Sequence, residues 1–136
     1  MSRIHPKDDA PAVPLGDIAP RDQAALLRRV FQQTSEAVLI TDRDNRIVAT
    51  NAAFAKMTGR AEEEVLGMNP RLLASGQTPI DQYALMWRGL IEHGVWRGEF
   101  WNARPDGTIY PTQVTITTVR NDQGDITHHV ATYMDP

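Results

Sequence analysis

The sequence predicts an α+β domain with one five-stranded antiparallel sheet, helices packed on one face of it, and an amphipathic helix in front. Three observations predict this. β-prone runs lie both early and late in the chain. Helical patterns fill the middle. Short turn sequences join the strands within each group, as between antiparallel neighbours.

The elements follow in order. Residues 1–20 form a leader with Pro6, Pro11, Pro14 and Pro20 and little core of its own. Pro20 suits the first turn of a helix, and Ala24, Leu27 and Phe31 recur at helical spacing beside Leu26 and Val30. This predicts an amphipathic helix over 21–33 whose apolar stripe needs cover from the domain or from another chain. Val38 to Thr41 and Arg46 to Ala49 read as a hairpin across the turn residues Asp42-Arg43-Asp44-Asn45. Thr50 or Asn51 caps a short helix carrying Phe54 and Met57 and stopped by Gly59. Ala61 to Val65 gives one more helical turn, with acids near its positive end and Gly67 as its stop. The next helix has Thr78 as its expected N-cap, Pro79 at its first position, and Ile80, Tyr83, Trp87, Leu90 and Ile91 along its stripe up to Gly94. Strands over 95–103, 108–119 and 126–134 close the chain, parted by Pro105-Asp106-Gly107 and Asn121-Asp122-Gln123-Gly124.

Composition narrows the function. A chain of 136 residues buries roughly two thirds of its unfolded surface, enough for one core and one enclosed pocket. The 14 basic residues against 17 acidic ones leave no excess to neutralise a nucleic-acid backbone. The absence of cysteine excludes disulfides, thiolate metal sites and thiol chemistry. No apolar run approaches the length of about 18 residues that spans a membrane, and no signal core opens the chain, so a cytoplasmic location is expected. There is no hydrolase elbow, phosphate-binding glycine loop or zinc motif, and Glu62-Glu63-Glu64 reads as a solvated helix start. The chain therefore reads as a binding domain and not as an enzyme.

Strand alternation singles out one polar residue. In 95–103, Trp96, Gly98, Phe100 and Asn102 share the apolar face, and Arg97, Glu99, Trp101 and Ala103 share the other. Asn102 thus places an amide on the core face, where leaving it unpaired costs roughly 1–3 kcal/mol. Either backbone groups at the strand end satisfy it, or a ligand edge with alternating donors and acceptors does. His128 and His129 are adjacent in a strand and face opposite sides, so they do not share a metal.

The ordered set of segments resembles the PAS family over about residues 24–134. Val38 to Asp42 followed by Ile47 to Phe54 resembles its opening hairpin and first helix. Met57-Thr58-Gly59 with Glu64 to Gly67 resembles its middle, and Trp96 to Asn102, Asp106-Gly107 and the long strand resemble its closing sheet. The resemblance implies a PAS fold over 35–136, behind a dimerisation helix over 21–34. It also implies a sensor holding a cofactor between sheet and helices and relaying its state to a C-terminal output domain. Gly67 to Leu73 resembles the helix beside the flavin in light- and redox-sensing PAS domains. Pro70 stands where the light sensors carry their adduct-forming cysteine, so adduct photochemistry is excluded. Asn69 to Pro79, Trp87 and the Trp96 to Asn102 strand are similar to FAD-binding redox PAS domains of nitrogen-fixation and methane-oxidation regulators. Similar segments occur in PAS domains attached to cyclic-di-GMP enzymes and histidine kinases.

On this resemblance FAD is the expected cofactor. Asn102 falls at the flavin-binding asparagine and Trp87 at a tryptophan beside the ring; Asn69, Arg71, Phe54, Phe100 and Thr112 complete the expected contacts. Thr112 stands where light sensors carry a second asparagine, Ala74 where they carry a phosphate-side glutamine, and Leu39 and Pro70 where some FAD-binding relatives are polar. Three readings follow: an FAD-binding redox or oxygen sensor, a ligand-free or metabolite-binding dimerisation module, and a haem gas sensor with His93 as the helix ligand. In each, a homodimer through the 21–34 helix and the outer sheet face around Trp101 is expected, without nucleic acid or membrane.

Overall fold

The computed structural model describes residues 10–135. The first half of the expected leader, residues 1–9, lies outside them. Two compact units meet at the Val30/Phe31 boundary. The first holds a 3-10 turn, Leu15–Asp17, and most of helix α1, Pro20–Gln33, which starts at proline as expected and has no buried residue.

The second unit holds β1 (Ala37–Asp42), β2 (Ile47–Thr50), α2 (Ala52–Thr58), α3 (Glu62–Val65), a 3-10 turn (Pro70–Leu73), α4 (Ile80–His93), β3 (Val95–Ala103), β4 (Ile109–Arg120) and β5 (Ile126–Met134). The sheet order is β2-β1-β5-β4-β3, antiparallel throughout, as the sequence predicts. The early hairpin and the late meander join where β1 lies along β5, from Ala37↔Tyr133 to Asp42↔His128. The inner face of the sheet meets the helices in one core: Leu39, Ile47, Val114 and Tyr133 pack with Phe54 of α2, Val65 of α3, and Met86 and Leu90 of α4.

Local chemistry fixes the turns. The Asp42 carboxylate accepts from the amides of Asp44 and Arg46 and from Arg46 Nε, which holds the acid below the usual carboxylate range. Asn45 takes the left-handed backbone there at φ 61°. Glu62 and Glu64 are structural: Glu62 accepts from Thr50 N and Glu64 from Ala61 N.

Two expectations about α4 are corrected. Thr78 is not its N-cap; the helix begins at Ile80 after Pro79, and the Thr78 hydroxyl accepts from Trp101 N at 2.8 Å instead. The edge of β3 competes for that oxygen and wins. The stripe also turns: Ile80 and Ile91 are 86% and 69% exposed, while Met86 and Leu90 are buried. A helix resting on a twisted sheet buries the 83-86-90 side; Trp87, 36% exposed, borders it, and residues at the two ends diverge from that line.

Asn51, one of the two expected caps, does more than cap α2. Its Oδ1 accepts from Phe54 N at 3.0 Å and Val38 N at 2.9 Å, and its Nδ2 donates to Phe31 O at 3.1 Å and Glu36 O at 2.8 Å. The residue is 2% exposed. Asn51→Ala takes a partner from two buried N–H groups and from the carbonyls of Phe31, Thr34 and Glu36, and a loss of about 3 kcal/mol in urea denaturation is expected. Asn51→Asp does not rescue it, because the donors are lost and a charge is buried.

Candidate functional site

A cavity of about 550 Å³ lies between the inner sheet face and α4, within the range of about 300–1,000 Å³ found for small-molecule sites. Leu39, Phe100, Ile116 and Ala131 supply apolar wall from the strands, and Met86 and Leu90 face them from α4. Exposed Asn69, Arg71, Gly76 and Ile80 form a rim. The segment carrying that rim is sewn to β3: Ser75 N and Oγ both donate to Trp101 O, and Ala74 pairs with Asn102. An otherwise open strand edge is thereby covered.

Three rings stiffen one wall. Tyr83 stacks on Phe100 at 5.0 Å between centroids, and Trp96 stacks on Phe100 at 5.2 Å. Gly98 makes this stack possible, because a Cβ there would come within 2.3 Å of the Trp96 indole.

The polar part of the cavity lies deeper. His129, 8% exposed, stands on β5 with Nδ1 3.3 Å from Thr118 Oγ1, and the edge of its ring meets Trp87 at 5.7 Å. Burial first, and the neighbouring His128 second, push its pKa below 6.5. Thr41, its register partner on β1, is 2% exposed, and its hydroxyl has no hydrogen-bond partner. Tyr133 is fully buried in the same wall, and desolvation drives its phenol far above the ordinary range, so it stays protonated.

Of the residues singled out from sequence, Trp87, Asn69, Arg71 and Phe100 line the cavity. Asn69 also caps the 3-10 turn by accepting from Arg71 N at 2.8 Å. The other three are buried outside the wall. Phe54 packs edge-on against Tyr133. Thr112 donates to Met134 O at 3.0 Å. Asn102, 4% exposed, lies behind Ala74 and opposite Tyr110. His93, the haem candidate, has a side chain 72% exposed at the end of α4 and does not line the cavity. The wall also includes His129, Thr41 and Tyr83, none of which was singled out as a site residue. Strand alternation places one of the two histidines inside, and it is His129.

A sensory domain is the class the fold and cavity define: the sequence pattern of the PAS fold matches residues 25–136, and the chain belongs to the PAS family. It is 41% identical over 106 residues to a nitrogen fixation regulatory protein of Klebsiella oxytoca, covering 78% of this chain and 21% of that protein. It is 34% identical over 131 residues to a blue-light-activated histidine kinase of Erythrobacter litoralis, covering 84% of this chain and 36% of the kinase. An RNA-binding light-oxygen-voltage receptor superposes with a TM-score of 0.77 at 28% identity, over 93% of this chain and 36% of that one. The chain thus spans about a fifth to a third of the length of these relatives. Among the described residues, no helix is long and apolar enough to cross a membrane.

Two outcomes test the site as built. Gly98→Ala forces the Trp96 indole off Phe100 and is expected to cost about 1–3 kcal/mol, with a shift in tryptophan emission. For His129, an unfolded imidazole titrates at about 6.5 and the folded one lower. Its contribution to stability is therefore whole above that pH and lost as pH falls through the lowered value. The stability difference between wild type and His129→Gln, read from urea midpoints, should shrink from about pH 7.5 to about pH 5.5.

Proposed function

We propose that this domain holds a flavin, in the form of FAD, and reports redox state or oxygen to the rest of a longer regulatory protein. One observation carries the reading. The segment that is 41% identical to a nitrogen fixation regulatory protein encloses a cavity of about 550 Å³ with aromatic walls and a polar rim. Bound flavin would supply a reducible ring that absorbs blue light. Trp87 and Phe100 offer it aromatic surface, and Asn69 and Arg71 offer its polar tail hydrogen bonds and a positive charge at the rim. Phe54 and Thr112 brace Tyr133 and the end of β5 from behind.

Asn102 is the proposed relay. Its backbone pairs with Ala74 of the wall, and its strand carries Arg97, Glu99 and Trp101 on the outer face. A change at the ring reaches this strand through the Ala74–Asn102 pair, and the outer face reads the strain as a population shift. The cytoplasm is the proposed location. The output is a regulator or histidine kinase, as the relatives' names indicate, and the domain itself contributes binding and not catalysis.

A second reading, a dimerisation module, is favoured by Leu26 and Leu27 of α1, which are 45% and 50% exposed.

Protein purified with excess FAD should be yellow, with bands that bleach on adding dithionite, and a colourless protein refutes the flavin reading. Trp87→Ala and Phe100→Ala should each weaken flavin binding by about tenfold, or 1.4 kcal/mol. On the second reading, Leu27→Glu or Trp101→Glu should convert a dimer to a monomer in sedimentation without changing the absorbance.

A further inference from the structure

His129 stands in a thin partition. On one side is the cavity; on the other is a surface groove lined by Arg43, Ile91, Arg120, Asp125 and Ile126, and Trp87 and Leu90 border both. The imidazole is held at Nδ1 by Thr118 and at its ring edge by Trp87, while no described group bonds Nε2. Beside it on β1, the Thr41 hydroxyl is also without a partner. Two polar groups with unused hydrogen-bonding capacity thus sit together in a wall otherwise made of Leu39, Met86, Leu90, Ile116 and Ala131. Polar atoms in a cavity wall with no protein partner, whether buried as Thr41 Oγ1 is or not, are where a ligand's own polar atoms are taken up.

We infer that His129, with Thr41 beside it, is a ligand contact of this cavity, and that seating a neutral heteroaromatic ring against it holds the imidazole neutral, so that acid opposes binding. The inference rests on the reading that the cavity takes a planar aromatic ligand. The sign follows from the surroundings. The charged and titratable groups around His129 are Arg43 from the turn after β1, Arg120 at the end of β4, Asp125 in the turn before β5, His128 on the opposite face, and Tyr83 and Tyr133 in the cavity. Burial opposes an imidazolium here and His128 adds to that, while Arg43, Arg120 and Asp125 are exposed and screened by solvent, so access to water is what tolerates the charged form. A ring that fills the cavity expels that water. Thr118 meets the neutral and charged forms alike, donating to or accepting from Nδ1, and the edge contact with Trp87, which favours the charged form, offsets only part of the loss. The neutral fraction of His129 then sets the competent fraction of the protein.

The test uses lumiflavin, a flavin ring without its charged tail, and N-phenyl-1-naphthylamine, a neutral aromatic dye. Their dissociation constants are measured by fluorescence between about pH 8 and about pH 5.5. The expected result is binding about fivefold weaker at the acid end, a flat profile in His129→Gln, and an acid weakening that persists in His128→Gln. NMR of the His129 ring protons in wild type serves if the variant fails to fold, and saturating probe should move the titration to lower pH. A pH-independent constant, a slope that persists in His129→Gln, or a titration indifferent to the probe overturns the inference. Binding of the dye alone, with the acid slope, refutes the flavin reading and upholds this one. Binding of neither overturns both.

Discussion

The Asn51 amide is the constraint on which the remaining geometry rests. It joins the start of α2 to β1 and to the backbone ahead of it, and uses both faces of its hydrogen-bonding capacity. A strand slipped by one residue turns every side chain over. Holding Val38 N in place therefore decides that Leu39 and Thr41 look inward while Ile40 looks out. Because β1 lies between β2 and β5, its register carries to His129, Ala131 and Tyr133 across the β1–β5 ladder. One buried amide thus sets which residues line the cavity on strands from opposite ends of the chain.

The cavity survives because its neighbours cannot collapse into it. Stacked rings resist closing: Phe100 stacks with both Tyr83 and Trp96, and the missing Cβ of Gly98 admits the indole. Away from the cavity, Arg104 lies over the Tyr110 ring at 4.0 Å with Nε donating to Met57 O at 2.8 Å, tying the end of β3 to α2. Rigid walls and a few unsatisfied polar atoms describe a preorganised site, in which little ordering free energy remains to be lost on binding.

Much of this was legible in the residues. Alternation in 95–103 sorted Phe100 and Asn102 inward and Arg97, Glu99 and Trp101 outward, and the structure has them so. Gly59 and Gly94 ended their helices in the left-handed conformation the sequence implied. What stayed hidden depends on contacts between distant segments. Nothing local distinguishes a threonine that caps a helix from one that accepts across a strand edge, so Thr78 was misread. Nor does spacing reveal that Asn102 lies behind the wall while His129 lies on it; that follows from how the 69–79 segment crosses β3 and how β5 pairs with β1.

The peptide of Trp101 is where two parts of the molecule are pinned together. Its N–H is held by Thr78 and its carbonyl by Ser75, both from the segment bordering the cavity, while its indole stands on the opposite side of the sheet. The rim therefore cannot lift without dragging that residue's main chain, and pressure on the indole is felt at the rim. A hasp of this kind needs no moving domain: displacement at either end is transmitted through a few hydrogen bonds, over one strand's thickness.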